Sequence, residues 1–205
     1  IISTIVTPSK SPDKMVKIGA NVFVINNAGF VTGAGDSTIT VINSDNNTVV
    51  KTFDIGVNPS DIVVDKNGKI WVICDGVSDW ANPANNKNGK LVCINPATLA
   101  VQNTYTMPSS YYNSKMAINK AKDKLLIIYT GGIYEFDINA NKLNETPIIK
   151  RTFYGIGIDP VEDIVYTCDP KDYKSQGNII RFNYTNKTAI DSFKVGTIPA
   201  GFWFN

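Results

Sequence analysis

Phe30, Trp80, Tyr111, Tyr112 and Tyr173 stand in stretches rich in Asp, Asn, Ser and Gly, and Asp75 opens the stretch that contains Trp80. Flat apolar rings beside polar tips suit a ring-bearing or sugar-like ligand, because one group supplies contact area and the other fixes orientation. These six residues are therefore the candidate ligand-binding set, with plugging of their own sheets as the bland alternative. The chain has no histidine, which removes the commonest general base and the commonest transition-metal ligand together. Asp36, Asp75, Asp79 and Asp169 offer oxygen atoms to a hard cation such as calcium. Their spacing matches neither an EF-hand nor an RTX loop, so no metal site and no cofactor is assigned. Cys74, Cys93 and Cys168 are too few and too irregular for a disulfide scaffold or a zinc site and read as small buried residues. A Cys74–Cys93 bridge is left open, since both fall on strands assigned side by side. Gly33-Ala34-Gly35 and Gly131-Gly132 are turn glycines, not phosphate cradles, for want of a strand–helix context.

The elements that position these residues repeat along the chain. One unit reads strand, polar turn, apolar strand, variable loop, strand, Asn-containing turn, strand. Second strands align at Val22–Asn26, Ile70–Cys74, Leu125–Tyr129 and Ile164–Cys168; third strands align at Ile39–Asn43, Leu91–Asn95, Ile133–Asp137 and Ile179–Asn183. Val, Ile, Thr, Phe and Tyr dominate these runs, and none sustains a helical period. A repeat of about 40 to 50 residues with four short strands is that of a propeller blade. The predicted fold is all-β: four-stranded antiparallel blades, about four of them, in a single domain over 1–205. The repeats cover approximately 12–57, 58–108, 114–153 and 154–196. Ile1 to Val6 reads as an outermost strand and Ile198 to Phe204 as an innermost one. Partial blades at both ends predict a section of a longer propeller of about seven blades, or, less simply, two copies that complete each other. Trp71 and Trp203 are placed within strands, as core between blades.

Each third strand ends on Asn or Asp before a polar turn, where such side chains bond to nearby backbone and tolerate left-handed conformations. The same chemistry accounts for the glycosylation-like triplets Asn46-Asn47-Thr48, Asn183-Tyr184-Thr185 and Asn186-Lys187-Thr188. Because a blade's strands alternate in direction, loops sort onto two faces. The short charged turns at 65–69, 119–124 and 159–163 take one face. The longer links at 27–37, 75–90, 108–113 and 169–178, which carry the aromatic set, take the other.

Thr40-Val41-Ile42-Asn43 through Thr48-Val49-Val50-Lys51-Thr52-Phe53 and Ile55-Gly56-Val57-Asn58-Pro59 resembles the repeat of YVTN-type, surface-layer-like propellers. Val195-Gly196-Thr197-Ile198-Pro199 repeats its end, and Phe23-Val24-Ile25-Asn26 stands where Tyr-Val-Thr-Asn would be. The resemblance covers nearly the whole chain, more weakly in the third repeat. The Asn-rich, His-free composition resembles exported surface propeller lipoproteins of gut Bacteroidetes, one branch of which binds cobalamin beside outer-membrane transporters. No residue here matches a cobalamin motif.

The resemblance implies an exported protein, at the cell surface or in the periplasm. The function expected is non-catalytic capture of a small molecule (corrinoid-like) or glycan on the loop-rich face. The alternatives are a protein–protein interaction platform in a surface complex, with a transporter or other surface protein as partner, and a metal-dependent lactonase-like or quinoprotein enzyme. The innermost strands offer Asp61, Asp65, Lys115 and Lys17 without a catalytic constellation. The net charge is +2 with its 20 basic residues dispersed, which argues against nucleic acid. No apolar run reaches the ~18 residues of a membrane span.

Overall fold

A computed structural model describes residues 4–9, 11–27 and 35–204. It divides into two compact units, Ile1–Ser114 and Lys115–Asn205. Each unit holds two four-stranded antiparallel sheets, so the chain forms four propeller blades.

In the first unit, one blade is β1 (Pro12–Ile18), β2 (Asn21–Asn26), β3 (Thr38–Asn43) and β4 (Thr48–Asp54). The other is β5 (Pro59–Val64), β6 (Ile70–Cys74), β7 (Lys90–Asn95) and β8 (Ala100–Thr106). Strands pair in chain order in both. All five residues of β6 are buried, whereas β8 is almost wholly exposed. This gradient explains the continuous apolar runs: a middle strand is covered on both faces, so alternation is lost. Phe23, Ile25, Ile39 and Val41 of the first blade pack with Ile62, Ile70, Val72 and Ile94 of the second in one apolar cluster. At the inner strands, Lys14 pairs with the nearly buried Asp61 at 2.7 Å.

The second unit contains β9 (Lys115–Ile118), β10 (Lys124–Tyr129), β11 (Gly132–Asp137) and β12 (Lys142–Leu143), then β13 (Gly155–Ile158), β14 (Ile164–Asp169), β15 (Gln176–Asn183) and β16 (Ala189–Thr197). The strand β12 is only two residues long. Pro147 interrupts the donor ladder, and pairing resumes once, as an isolated bridge between Ile133 and Ile149. The two blades meet through edge-to-face Phe153 and Phe182, 5.9 Å apart, and through Tyr184, whose hydroxyl donates to Glu135 at 2.6 Å. Burial and that acceptor both push the Tyr184 phenol far up.

The expected second and third strands all form. The polar turns are built as the residue types demand. Asn43 Oδ1 accepts from the backbone of Asp45 and Asn46, Asp137 Oδ1 from Asn139 and Ala140, and Asn183 Oδ1 from Thr185 and Asn186. Asn46 and Asn186 each accept from the backbone and hydroxyl of the Thr two residues on. Asp65, Asn119 and Asp159 cap the turns after β5, β9 and β13 in the same way.

Three expectations need correction. Residues 4–6 form no strand, and the remainder of the 1–6 segment lies outside the described residues. Residues 198–204 form none either, and Trp203 is 88% exposed instead of core. Phe202 and Phe204 instead lie against Tyr166, with centroids 5.6 and 5.4 Å away. Gly157 leaves the space they occupy: a Cβ there would stand 2.9 Å from both rings. The indole between these two rings is left facing out. Trp71, by contrast, is buried, and its indole N–H donates to Asp65 at 2.9 Å.

All three cysteines are free and buried. Cys74 stands opposite Lys90, and Cys93 opposite Trp71, so neighbouring strands do not bring the two sulfurs into register. Burial pushes the Cys93 thiol up to about 11 and the Cys168 thiol up to about 12. Since the thiolate is the nucleophile, Ellman's reagent should find no reactive thiol in the native protein and three in denaturant. A fast native reaction at one thiol would contradict this burial.

Candidate functional site

In the first unit, the links after the second and fourth strands of each blade are stitched together by backbone hydrogen bonds. Asn58 N–H donates to Asp36, Asp75 N–H to Asn58, Tyr111 N–H to Asp75, and Gly89 N–H to Ser109, all at 2.9–3.0 Å. The expected loop-rich face therefore forms here.

Asp75 is its hub. Its Oδ1 accepts from the Ser60 hydroxyl at 2.8 Å and from Ser114 N–H at 3.0 Å, while Oδ2 accepts from Asn113 N–H at 2.8 Å. Burial pushes its carboxyl up, and these donors, with the Ser114 side chain, pull it down without cancelling the burial. A carboxylate with its oxygens so engaged organises the face; it does not present a free ligand atom.

The segment 75–89 is an ordered excursion. A bridge between Val77 and Lys87 closes its base. At its tip, Asp79 Oδ1 accepts from Ala81 and Asn82 N–H, and Oδ2 accepts from the Asn85 amide at 2.9 Å. The Asn85 amide and the Asn82 N–H hold the Asp79 carboxyl below its ordinary range. Asn82 caps a short 3-10 turn, Pro83–Asn85. Trp80 rides on this frame 96% exposed. Ser78 and Ser110 share a hydroxyl hydrogen bond of 2.5 Å, and Asn88 donates to the Pro108 carbonyl at 3.3 Å. These contacts fix the Trp80 loop to the segment that carries Tyr111, half-buried, and Tyr112, 68% exposed.

Tyr173 belongs to the second unit and has its own partner. It meets Tyr154 edge to face, with centroids 5.7 Å apart and an interplanar angle of 87°. Beside the pair, Arg151 is ion-paired with Asp169 and lies 5.6 Å over the Phe153 ring. Phe30 lies outside the described residues.

Four of the six sequence-derived residues, Asp75, Trp80, Tyr111 and Tyr112, are thus brought into one hydrogen-bonded face. The supporting Ser60, Ser78, Ser110 and Ser114, and the pair Arg151 and Tyr154, were not foreseen. The repeat held one signal for them. Asn58, Ser114 and Tyr154 share the position just before an inner strand, and each touches the loop that follows a second strand. The four carboxylates weighed as cation ligands are separately engaged, Asp36 by Thr38 and Asp169 by Arg151. Among the described residues, no three His, Cys, Asp or Glu side chains converge.

Several solved structures share the fold. A functionally unknown protein from Desulfotomaculum acetoxidans superposes with a TM-score of 0.67 at 14% identity, over 96% of this chain and 60% of that one. A quinonprotein alcohol dehydrogenase-like protein from Bacteroides thetaiotaomicron gives 0.66 at 11%, over 91% and 46%. Hydrazine synthase of Kuenenia stuttgartiensis gives 0.60 at 14%, over 87% and 51%. The chain spans roughly half the length of these structures, and at such identities the likeness is one of fold. No curated protein matches it in sequence. A family model does match, over residues 2–205, and the chain belongs to that family, described as a domain of unknown function (DUF5074).

Proposed function

We propose that the chain is an exported, non-catalytic propeller segment that binds a ring-bearing ligand, a glycan or corrinoid-like molecule, on its loop-rich face. The observation that carries this reading is Trp80. A large apolar ring is held 96% exposed by a loop whose every turn is hydrogen-bonded. Water does not favour that arrangement, and the rigid frame keeps the entropy of capture low. A flat exposed indole offers the C–H face of a sugar a stacking surface. Export to the cell surface or periplasm, lipoprotein attachment and a neighbouring outer-membrane transporter follow from the resemblance to surface propellers, whose cobalamin-binding branch makes a corrinoid the first small molecule to try.

A second reading, a protein partner, is favoured by one feature: residues 80–88 are exposed throughout, so the loop stands proud like an interface anchor.

Titration of neutral oligosaccharides and cobalamin against wild type and Trp80→Ala tests the choice. Removing a hot-spot aromatic of ~2 kcal/mol should weaken binding about 30-fold, with the melting temperature unchanged within ~1 °C. Equal affinity in the variant would remove Trp80 from the site. Failure of every small ligand, with Trp80-dependent capture of one surface protein, would establish the second reading.

A further inference from the structure

The segment 169–175 in the second unit is built around a conformation its sequence does not favour. Lys171 and Tyr173 have φ of 53° and 60°, the left-handed region that bulky residues seldom enter. A dense local scaffold holds them there. Asp169 Oδ1 accepts from Lys171 N–H at 3.0 Å, and Tyr173 N–H donates to the Pro170 carbonyl at 3.0 Å. Asp172 accepts from the N–H groups of Lys174 and Ser175 and from the Ser175 hydroxyl. The product of this arrangement is one ring, Tyr173, set edge-on to Tyr154 yet still 54% exposed. A plug over its blade would be buried; this ring is displayed.

The charge beside it is positive in balance. Asp169 is ion-paired with Arg151; Asp172 is hydrogen-bonded within its own turn and stays ionised, but Lys150, Lys171 and Lys174 are all exposed, with no carboxylate partner among the described residues. Arg151 is held by Asp169 and by the Phe153 ring beneath it, leaving a pre-oriented guanidinium with donors to share. An aromatic step flanked by a fixed guanidinium and mobile ammonium groups matches a ligand with a C–H-rich ring face and a carboxylate on its rim.

We propose that Tyr173, Tyr154 and Arg151, with Lys171 and Lys174, form a subsite for a carboxylate-bearing sugar, a uronate unit of an acidic glycan. The assignment rests on the glycan form of the function proposed above, and adds to it a separate binding position in the second unit and a substrate class.

The test is calorimetric titration of trigalacturonate and neutral galactotriose, at low salt and at 0.5 M NaCl, against wild type, Trp80→Ala, Tyr173→Ala and Lys171→Gln/Lys174→Gln. Wild type should bind the uronate at least fivefold tighter than the neutral sugar, and salt should erase the preference. Tyr173→Ala should lower uronate affinity tenfold or more. The lysine pair, both exposed and tolerant of change, should lose the preference while neutral binding persists. Equal affinity of wild type for the two sugars overturns the subsite, as does unchanged uronate binding in folded Tyr173→Ala. Neutral sugar bound through Trp80 without a uronate preference sinks the subsite alone. Binding of neither sugar sinks both the subsite and the glycan reading.

Discussion

Gly76→Ala should destabilise the protein by roughly 2–5 kcal/mol and abolish the ligand capture proposed for the Trp80 loop. Gly76 has φ +79°, a conformation that costs an L side chain about 1–2 kcal/mol. The added methyl would also lie well inside contact distance of the Lys87 carbonyl oxygen, and 2.8 Å from the Asn88 carbonyl carbon and Gly89 nitrogen. These are backbone atoms, so no rotamer change relieves the clash. The bridge between Val77 and Lys87 would have to open, and with it the base of the loop. Chemical denaturation should show the lower midpoint. Hydrogen exchange should show faster exchange at Val77 and Lys87 than in wild type. A variant with wild-type stability would mean that the loop base is not packed as described.

Asp75→Ala should cost roughly 2–4 kcal/mol, because it leaves the Asn113 and Ser114 N–H groups without their acceptor and the Ser60 hydroxyl with only its longer bond to the Ile73 carbonyl. The cost falls on the joint between the Trp80 loop and the Tyr111–Tyr112 segment. The ligand binding proposed for this face should therefore fall although the Trp80 ring itself is unchanged. Asp75→Asn tells the two oxygens apart: an amide keeps one acceptor but turns a donor toward the Asn113 or Ser114 N–H, so it rescues only in part.

The pH dependence has a definite sign. Burial raises the folded-state carboxyl above its ordinary value, so between the two the folded state holds more protons than the unfolded state. The stability this group contributes is present below the unfolded pKa and is lost as pH rises through the folded one. Asp75→Asn should flatten that part of the curve in denaturation across mildly acidic pH. A stability contribution from Asp75 that grows with pH there would contradict the burial.

The blades themselves were legible in the sequence because each rests on short-range rules. β-branched and aromatic runs bounded by Asn and Asp turns specify hairpins, and the acceptors on Asn43, Asp137 and Asn183 do what those residue types do locally. Repetition then multiplied one signal four times. The alternation of strand direction within a blade also places Asp75, Trp80, Tyr111 and Tyr112 on one face from sequence alone.

What tertiary structure alone decided concerns partners far apart in the chain. Asp75 looked like a ligand residue because it begins an aromatic loop. Its hydrogen-bond partners, Ser60 on the neighbouring strand β5 and Asn113 and Ser114 in the link after β8, are visible only once the blade and that link are folded together. Trp203 reads as core because it sits in an apolar run, yet Phe202 and Phe204 take the space opened by Gly157, and the indole between them stays outside. Tyr173 is one loop aromatic among several in the sequence, whereas its edge-to-face partner Tyr154, and Arg151, which pairs with Asp169 at the start of the same loop, both come from the neighbouring inter-blade link. Local propensity carries hairpins and turns; which polar group meets which across blades depends on long-range packing, for which a single sequence holds no short-range signal.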